Sequence, residues 1–107
     1  MGNLSYFYPI LGWTVLMQSS HSGDRDMVDW LLAHGADPNQ QMPGTGWTAL
    51  HSAAASQHMD ILKALLNKGG DKNLRAAHRN LGRNLAVENC TADKNILELL
   101  TKYPIVV

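Results

Sequence analysis

Gly46-Trp47-Thr48-Ala49-Leu50-His51, followed by Leu65-Leu66 and then by Gly69-Gly70-Asp71-Lys72-Asn73, is the stretch that decides how this chain is read. The same order stands 34 residues earlier, as Gly12-Trp13-Thr14, Leu16, Leu31-Leu32, Gly35, Asp37 and Asn39, with Ser22 and Asp26 in register with Ser56 and Asp60. Eleven of the 28 positions from 12 to 39 recur in this way. Ordinary residue frequencies give about two. The chain therefore contains an internal repeat, and the repeat unit is what must fold.

Each copy reads as two helices and a turn. Thr14 or Thr48 opens the first helix, its hydroxyl accepting from a backbone N–H that has no partner within the helix. That helix is short and rich in small side chains, as in Ala53-Ala54-Ala55, which lets a neighbouring copy approach closely. The second helix opens near Asp26 or Asp60, where a carboxylate suits the positive end of the helix dipole. Helical spacing then puts Met27, Val28, Leu31 and Leu32, or Ile61, Leu62, Leu65 and Leu66, on one face as core. Gly35 and Gly69 follow at once, where a residue able to take positive φ closes the helix.

With these residues in place, the segment from Gly46 to Asn73 resembles the ankyrin repeat, and Gly12 to Asn39 is a second copy. The resemblance implies an all-α solenoid of stacked antiparallel helix pairs with projecting hairpin loops, the hairpins and first helices forming a concave binding face. A degenerate third copy keeps Gly82-Arg83-Asn84-Leu85 and Ile96-Leu97-Glu98-Leu99-Leu100, while its small-residue helix becomes Ala86-Val87-Glu88-Asn89-Cys90. The expected organisation is an aromatic arm over 1–11, repeats over 12–45 and 46–79, and a degenerate capping repeat over 80–107. The polar residues of the last segment and Pro104 suit a cap, which a solenoid needs to shield its final interface. Two departures stand out. The period is 34 rather than 33, the extra residue falling in the Gln40–Thr45 loop, and Val15 and Met17 replace the family's usual Pro and His. The arm carries Leu4, Tyr6, Phe7, Tyr8, Ile10 and Leu11. It is expected to cap the first repeat, the alternative being an exposed grip for a partner.

Composition narrows the function. With 45% hydrophobic and 17% charged residues in 107, the chain is a single small domain with a core. Net charge is zero, which argues against nonspecific nucleic-acid binding. The charge is uneven, however: residues 1–60 set Arg25 against five aspartates, and residues 61–107 set eight Lys or Arg against four carboxylates. An acidic end and a basic end permit head-to-tail self-association. There is no basic leading segment and no apolar run long enough to span a bilayer, so a cytoplasmic or nuclear protein without a membrane partner is expected. One cysteine, Cys90, allows neither an internal disulfide nor a zinc cluster. His51 and His58 lack further ligands, and Asp24, Asp26 and Asp29 lack the glycine and glutamate of a calcium loop. No cofactor is expected. Catalysis has no support either, because no His flanks Cys90 and no glycine-rich phosphate loop is present. The chain reads as a binding protein and not an enzyme.

The resemblance also places candidate contact residues. The residue between Gly and Thr sits on the hairpin and often touches the partner in ankyrin-like proteins. Here it is Trp13, Trp47 and, in the third copy, Arg83. The competing reading has each Trp packing on its own repeat. His21, Ser22 and Ser56 fall at the concave ends of the first helices, and Met42, Pro43 and Thr45 at the hairpin tip. Lys72, Arg75, His78, Arg79 and Arg83 cluster around the second hairpin, as a receptor for an acidic peptide or a phosphate group or, the favoured reading, as a solvated loop. Asn39 and Asn73 stand where asparaginyl hydroxylases modify ankyrin-like proteins. A role in tying down the hairpin is sufficient to account for them and is the favoured reading. The implied function is an adaptor or inhibitor that holds a partner protein on the concave face, or else an ankyrin portion of a larger enzyme or signalling protein.

Overall fold

The computed structural model describes residues 13–78 and 82–102, so the arm at 1–11 and Gly12, Arg79 and Pro104 lie outside the described residues, as do the side chains of His78 and Arg83. Two helix pairs follow one another, α1 (Val15–Ser22) with α2 (Arg25–Ala33) and α3 (Ala49–Ala55) with α4 (Met59–Asn67). A short hairpin of β1 (Ala76–His78) and β2 (Gly82–Leu85), a single 3-10 turn over Val87–Cys90 and α5 (Lys94–Thr101) complete the described residues. The strands are antiparallel, pairing Ala76 with Leu85 and His78 with Gly82 across one irregularity. The element order and the helix-on-helix packing are those of a stacked helix-pair solenoid with a projecting hairpin.

The threonines do what the sequence asks. Thr14 Oγ1 accepts from the Met17 amide at 3.1 Å, and Thr48 Oγ1 from the His51 amide at 3.4 Å. The caps are reciprocal, because the Thr48 amide donates to His51 Nδ1 at 3.2 Å. In the first copy, Met17 Sδ stands in the same place, 3.4 Å from the Thr14 amide. A thioether is the weaker acceptor, but it keeps the geometry where histidine is missing. Gly35 and Gly69 take φ of 91° and 90° and close α2 and α4. The residue after each donates back to the helix, Ala36 to the Leu31 carbonyl and Gly70 to that of Leu65, both at 2.9 Å.

Two expectations need correction, while the second helices open near Asp26 and Asp60 as expected: Asp24 is the N-cap of α2, accepting from the Met27 amide at 3.1 Å, and His58 precedes α4 without a side-chain cap bond. Asp26 and Asp60 lie in the first turns, where the dipole still favours a carboxylate. Met27 is not core. It is 40% exposed, while its counterpart Ile61 is fully buried, because α2 covers α4 and no equivalent helix covers α2 among the described residues. The first helix of the third copy shrinks to the four-residue 3-10 turn, since Val87, Asn89 and Cys90 form helix less readily than the alanines of Ala53-Ala54-Ala55.

One continuous core joins the elements. Leu16, Met17, Leu50, Ala53, Ala54, Ile61, Leu62, Leu65, Val87 and Ile96 are all within it, and α1 on α3 is its largest helix contact. Ala53 and Ala54 are fully buried there, as small residues at a close approach should be. Ser20 occupies the place of Ala54 in the first copy, fully buried, and its hydroxyl has no hydrogen-bond partner.

Candidate interaction surface

The candidate residues fall into separate groups. Trp13 is half-buried and sets its ring edge-on to His21, with centroids 5.5 Å apart at 87°. His21 in turn meets Ser56 Oγ through Nδ1 at 2.9 Å, across 35 residues of sequence. Trp13, His21 and Ser56 thus form one line along the ends of the first helices, reaching from the first copy to the second. His58 extends that line, its Nε2–H donating to the His21 carbonyl at 3.2 Å. Ser22 lies beside it, exposed, with its hydroxyl on the Ser19 carbonyl at 3.3 Å.

Trp47 is held differently. Its indole N–H donates to Ser52 Oγ at 2.8 Å, and its ring lies over His51 at 5.0 Å and 33°. His51 is fully buried. Much of Trp47 is therefore spent on its own helix, as the packing reading of the tryptophans has it.

The loop between the copies makes a third group. Gln41, Met42, Thr45, Arg75 and Ala77 line an open groove between this loop and the start of β1. Two backbone bonds build the loop, Met42 N–H to Trp47 O at 2.7 Å and Gly46 N–H to Met42 O at 2.8 Å. A third, Ala77 N–H to Thr45 O at 2.6 Å, ties it to the hairpin. Gly46 permits that approach, since a Cβ there would stand 2.9 Å from the Arg75 carbonyl, at a φ of 80°. Of the basic cluster, Lys72 is engaged: its ammonium donates to the Leu100 carbonyl at the end of α5. That position suits a cation, because the last helix carbonyls lack partners.

Asn39 uses both ends of its amide. Nδ2 donates to the Gly69 carbonyl at 2.9 Å, and Oδ1 accepts from the Asp71 amide at 2.7 Å. The first copy's turn is thereby clamped to the second's. In the second copy, Asp71 supports the turn by accepting from the Asn73 amide at 2.9 Å, as Asp37 does from that of Asn39 at 2.8 Å. Arg25 adds another link. It is bonded to Asp29 at 3.0 Å, to the Asp60 carbonyl at 3.2 Å and lies 3.7 Å from the Asp60 carboxylate. The Asp29 hydrogen bond is the first reason that its guanidinium holds its proton still more firmly than usual.

Trp30 escapes a reading based on the Gly-Trp-Thr motif. It is 51% exposed on α2 and stacks on His34 at 4.0 Å and 19°, while His34 Nδ1–H donates to the Trp30 carbonyl at 2.7 Å. The signal was in the register: a tryptophan stands where the second copy has Ala64. Cys90 is half-buried with Sγ 3.6 Å from the Ala86 carbonyl, and burial pushes its thiol up to about 11. It is a packed thiol rather than an activated one.

The model of ankyrin repeats, in three copies, matches residues 4–76, which is more than half of the chain. The chain belongs to the ankyrin-repeat family. A crystal structure of the ankyrin repeat domain of Bcl-3, described as a unique member of the IkappaB protein family, is similar to it. The TM-score is 0.83 at 25% sequence identity, covering 94% of this chain and 41% of that one. The chain thus spans less than half the length of that neighbour. No curated protein matches the sequence. Ankyrin repeats generally mediate protein–protein interaction, so this is a chain built from protein-binding repeats. Among the described residues no helix is long and apolar enough to cross a membrane.

Proposed function

We propose that the chain is an adaptor or inhibitor that holds a partner protein on the concave side of its repeats, without cofactor and without catalysis. The supporting observation is the line of Trp13, His21 and Ser56, which joins the first helices of two successive repeats into one surface. Tryptophan is among the residues that most often carry the binding energy of an interface. Ser22 and the groove of Met42, Thr45 and Arg75 extend the surface, with Trp47 helping to shape its floor. Arg79 and Arg83 belong to the same proposal through the basic hairpin. The working organisation is an arm over 1–11, repeats over 12–45 and 46–79 and a cap over 80–107, in the cytoplasm or nucleus. Asn39 and Asn73 are the positions at which hydroxylation would act on this chain as a substrate.

The test is a partner captured from cell extract and then measured with purified proteins. Trp13→Ala, shown to be folded by circular dichroism, is expected to weaken binding about tenfold or more, roughly 1.4 kcal/mol. Unchanged affinity would remove the surface from consideration. A second reading rests on length: since the chain spans 41% of the Bcl-3 ankyrin chain, it also fits as the ankyrin portion or regulatory subunit of a longer protein. Self-association between its acidic and basic ends, read by sedimentation at low and high salt, is the remaining mode.

A further inference from the structure

Within the chain, the packing of α2 on α4 shows what one repeat requires of the next. Ile61 is fully buried, Ala64 is partly buried against the core, and Asp60 receives Arg25 from α2 at its carbonyl and its carboxylate. One period earlier stand Asp26, Met27 and Trp30, on the corresponding face of α2. Met27 and Trp30 are the two large apolar side chains exposed among the described residues, and Asp26 is exposed beside them. Arg25 does not serve Asp26, being engaged by Asp29 and Asp60. The face therefore has the residues and charge of a helix-packing surface on which no helix lies among the described residues.

We propose that Asp26, Met27 and Trp30 form a docking surface for an amphipathic helix of a partner protein, one that carries Arg or Lys where α2 carries Arg25. This goes beyond the concave-face reading and uses different residues. Charge favours a cationic occupant, because the described residues up to Asp60 set Arg25 against five aspartates. A tryptophan face adds affinity for the same cation through its π electrons.

The test titrates the full chain into a dye-labelled amphipathic helix of leucine and lysine, about five turns long, with its leucine–glutamate counterpart in parallel. Saturable binding of the lysine helix alone is expected. Trp30→Ala and Asp26→Lys, both at exposed positions, should each weaken it about tenfold or more, while Trp13→Ala should leave it unchanged. Four results overturn the proposal: no saturable binding, equal binding of the glutamate helix, indifference to both substitutions, or a sedimenting dimer that Trp30→Ala dissociates. The last would give the face to a second copy of the chain.

Discussion

Ser20 shows how a repeat can match in register and still differ in energy. Its counterpart Ala54 packs in the same buried environment with no polar atom to satisfy, whereas the Ser20 hydroxyl is buried without a partner. An unmet buried hydroxyl costs on the order of 1–3 kcal/mol. Ser20→Ala is thus expected to raise stability by about 1 kcal/mol in denaturant titration, and a loss of stability would mean that the hydroxyl is bonded. Single residues also set what the sequence revealed. Thr14, Thr48, Gly35 and Gly69 were legible because capping and positive φ are local requirements. Met27 was not, because helical spacing assigns a face but not whether a neighbour covers it. Trp47 was ambiguous for a related reason: its bond to Ser52, five residues away, is invisible in a motif that fixes only Gly-Trp-Thr.

At the scale of elements, the helix pairs were legible and the third copy was less so. Its outer helix kept the apolar spacing that buries Ile96, Leu99 and Leu100, so α5 forms as expected. Its inner helix lost the alanines and became a 3-10 turn, which still delivers Val87 to the core. Cys90 ends that turn, and its raised thiol gives a check on the packing. Its stabilising preference for the neutral form is present below pH 9.0, the ordinary value, and is lost as pH rises through about 11. Iodoacetamide should therefore alkylate the native chain slowly at neutral pH, and faster only as pH approaches 11. Rapid reaction at neutral pH would show an exposed or activated thiolate.

The whole molecule is held by apolar stacking and by a few bonds between copies. Arg25 to Asp60, His21 to Ser56, His58 to the His21 carbonyl and the Asn39 clamp all cross from one repeat to the next. None was readable as a pair from the sequence, since each partner lies some 30 to 37 residues away. Only the 34-residue period hinted that such contacts recur. Asn39→Ala leaves the Asp71 amide and the Gly69 carbonyl without this partner, so it should cost about 1–2 kcal/mol in thermal or chemical unfolding. A neutral effect would show that apolar packing alone couples the repeats. The candidate surface was legible as a set of positions, through the family resemblance, but not as a geometry. Trp13, His21 and Ser56 became one line only once α1 lay on α3.

Amide hydrogen exchange of the chain, free and bound to its captured partner, reads whether the partner sits along the ends of α1 and α3. New protection is expected at residues 18–23 and 54–57 and in the 42–46 loop, with α5 unchanged. Protection confined to α5, or to the outer face of α2, with none along the ends of α1 and α3, would contradict it.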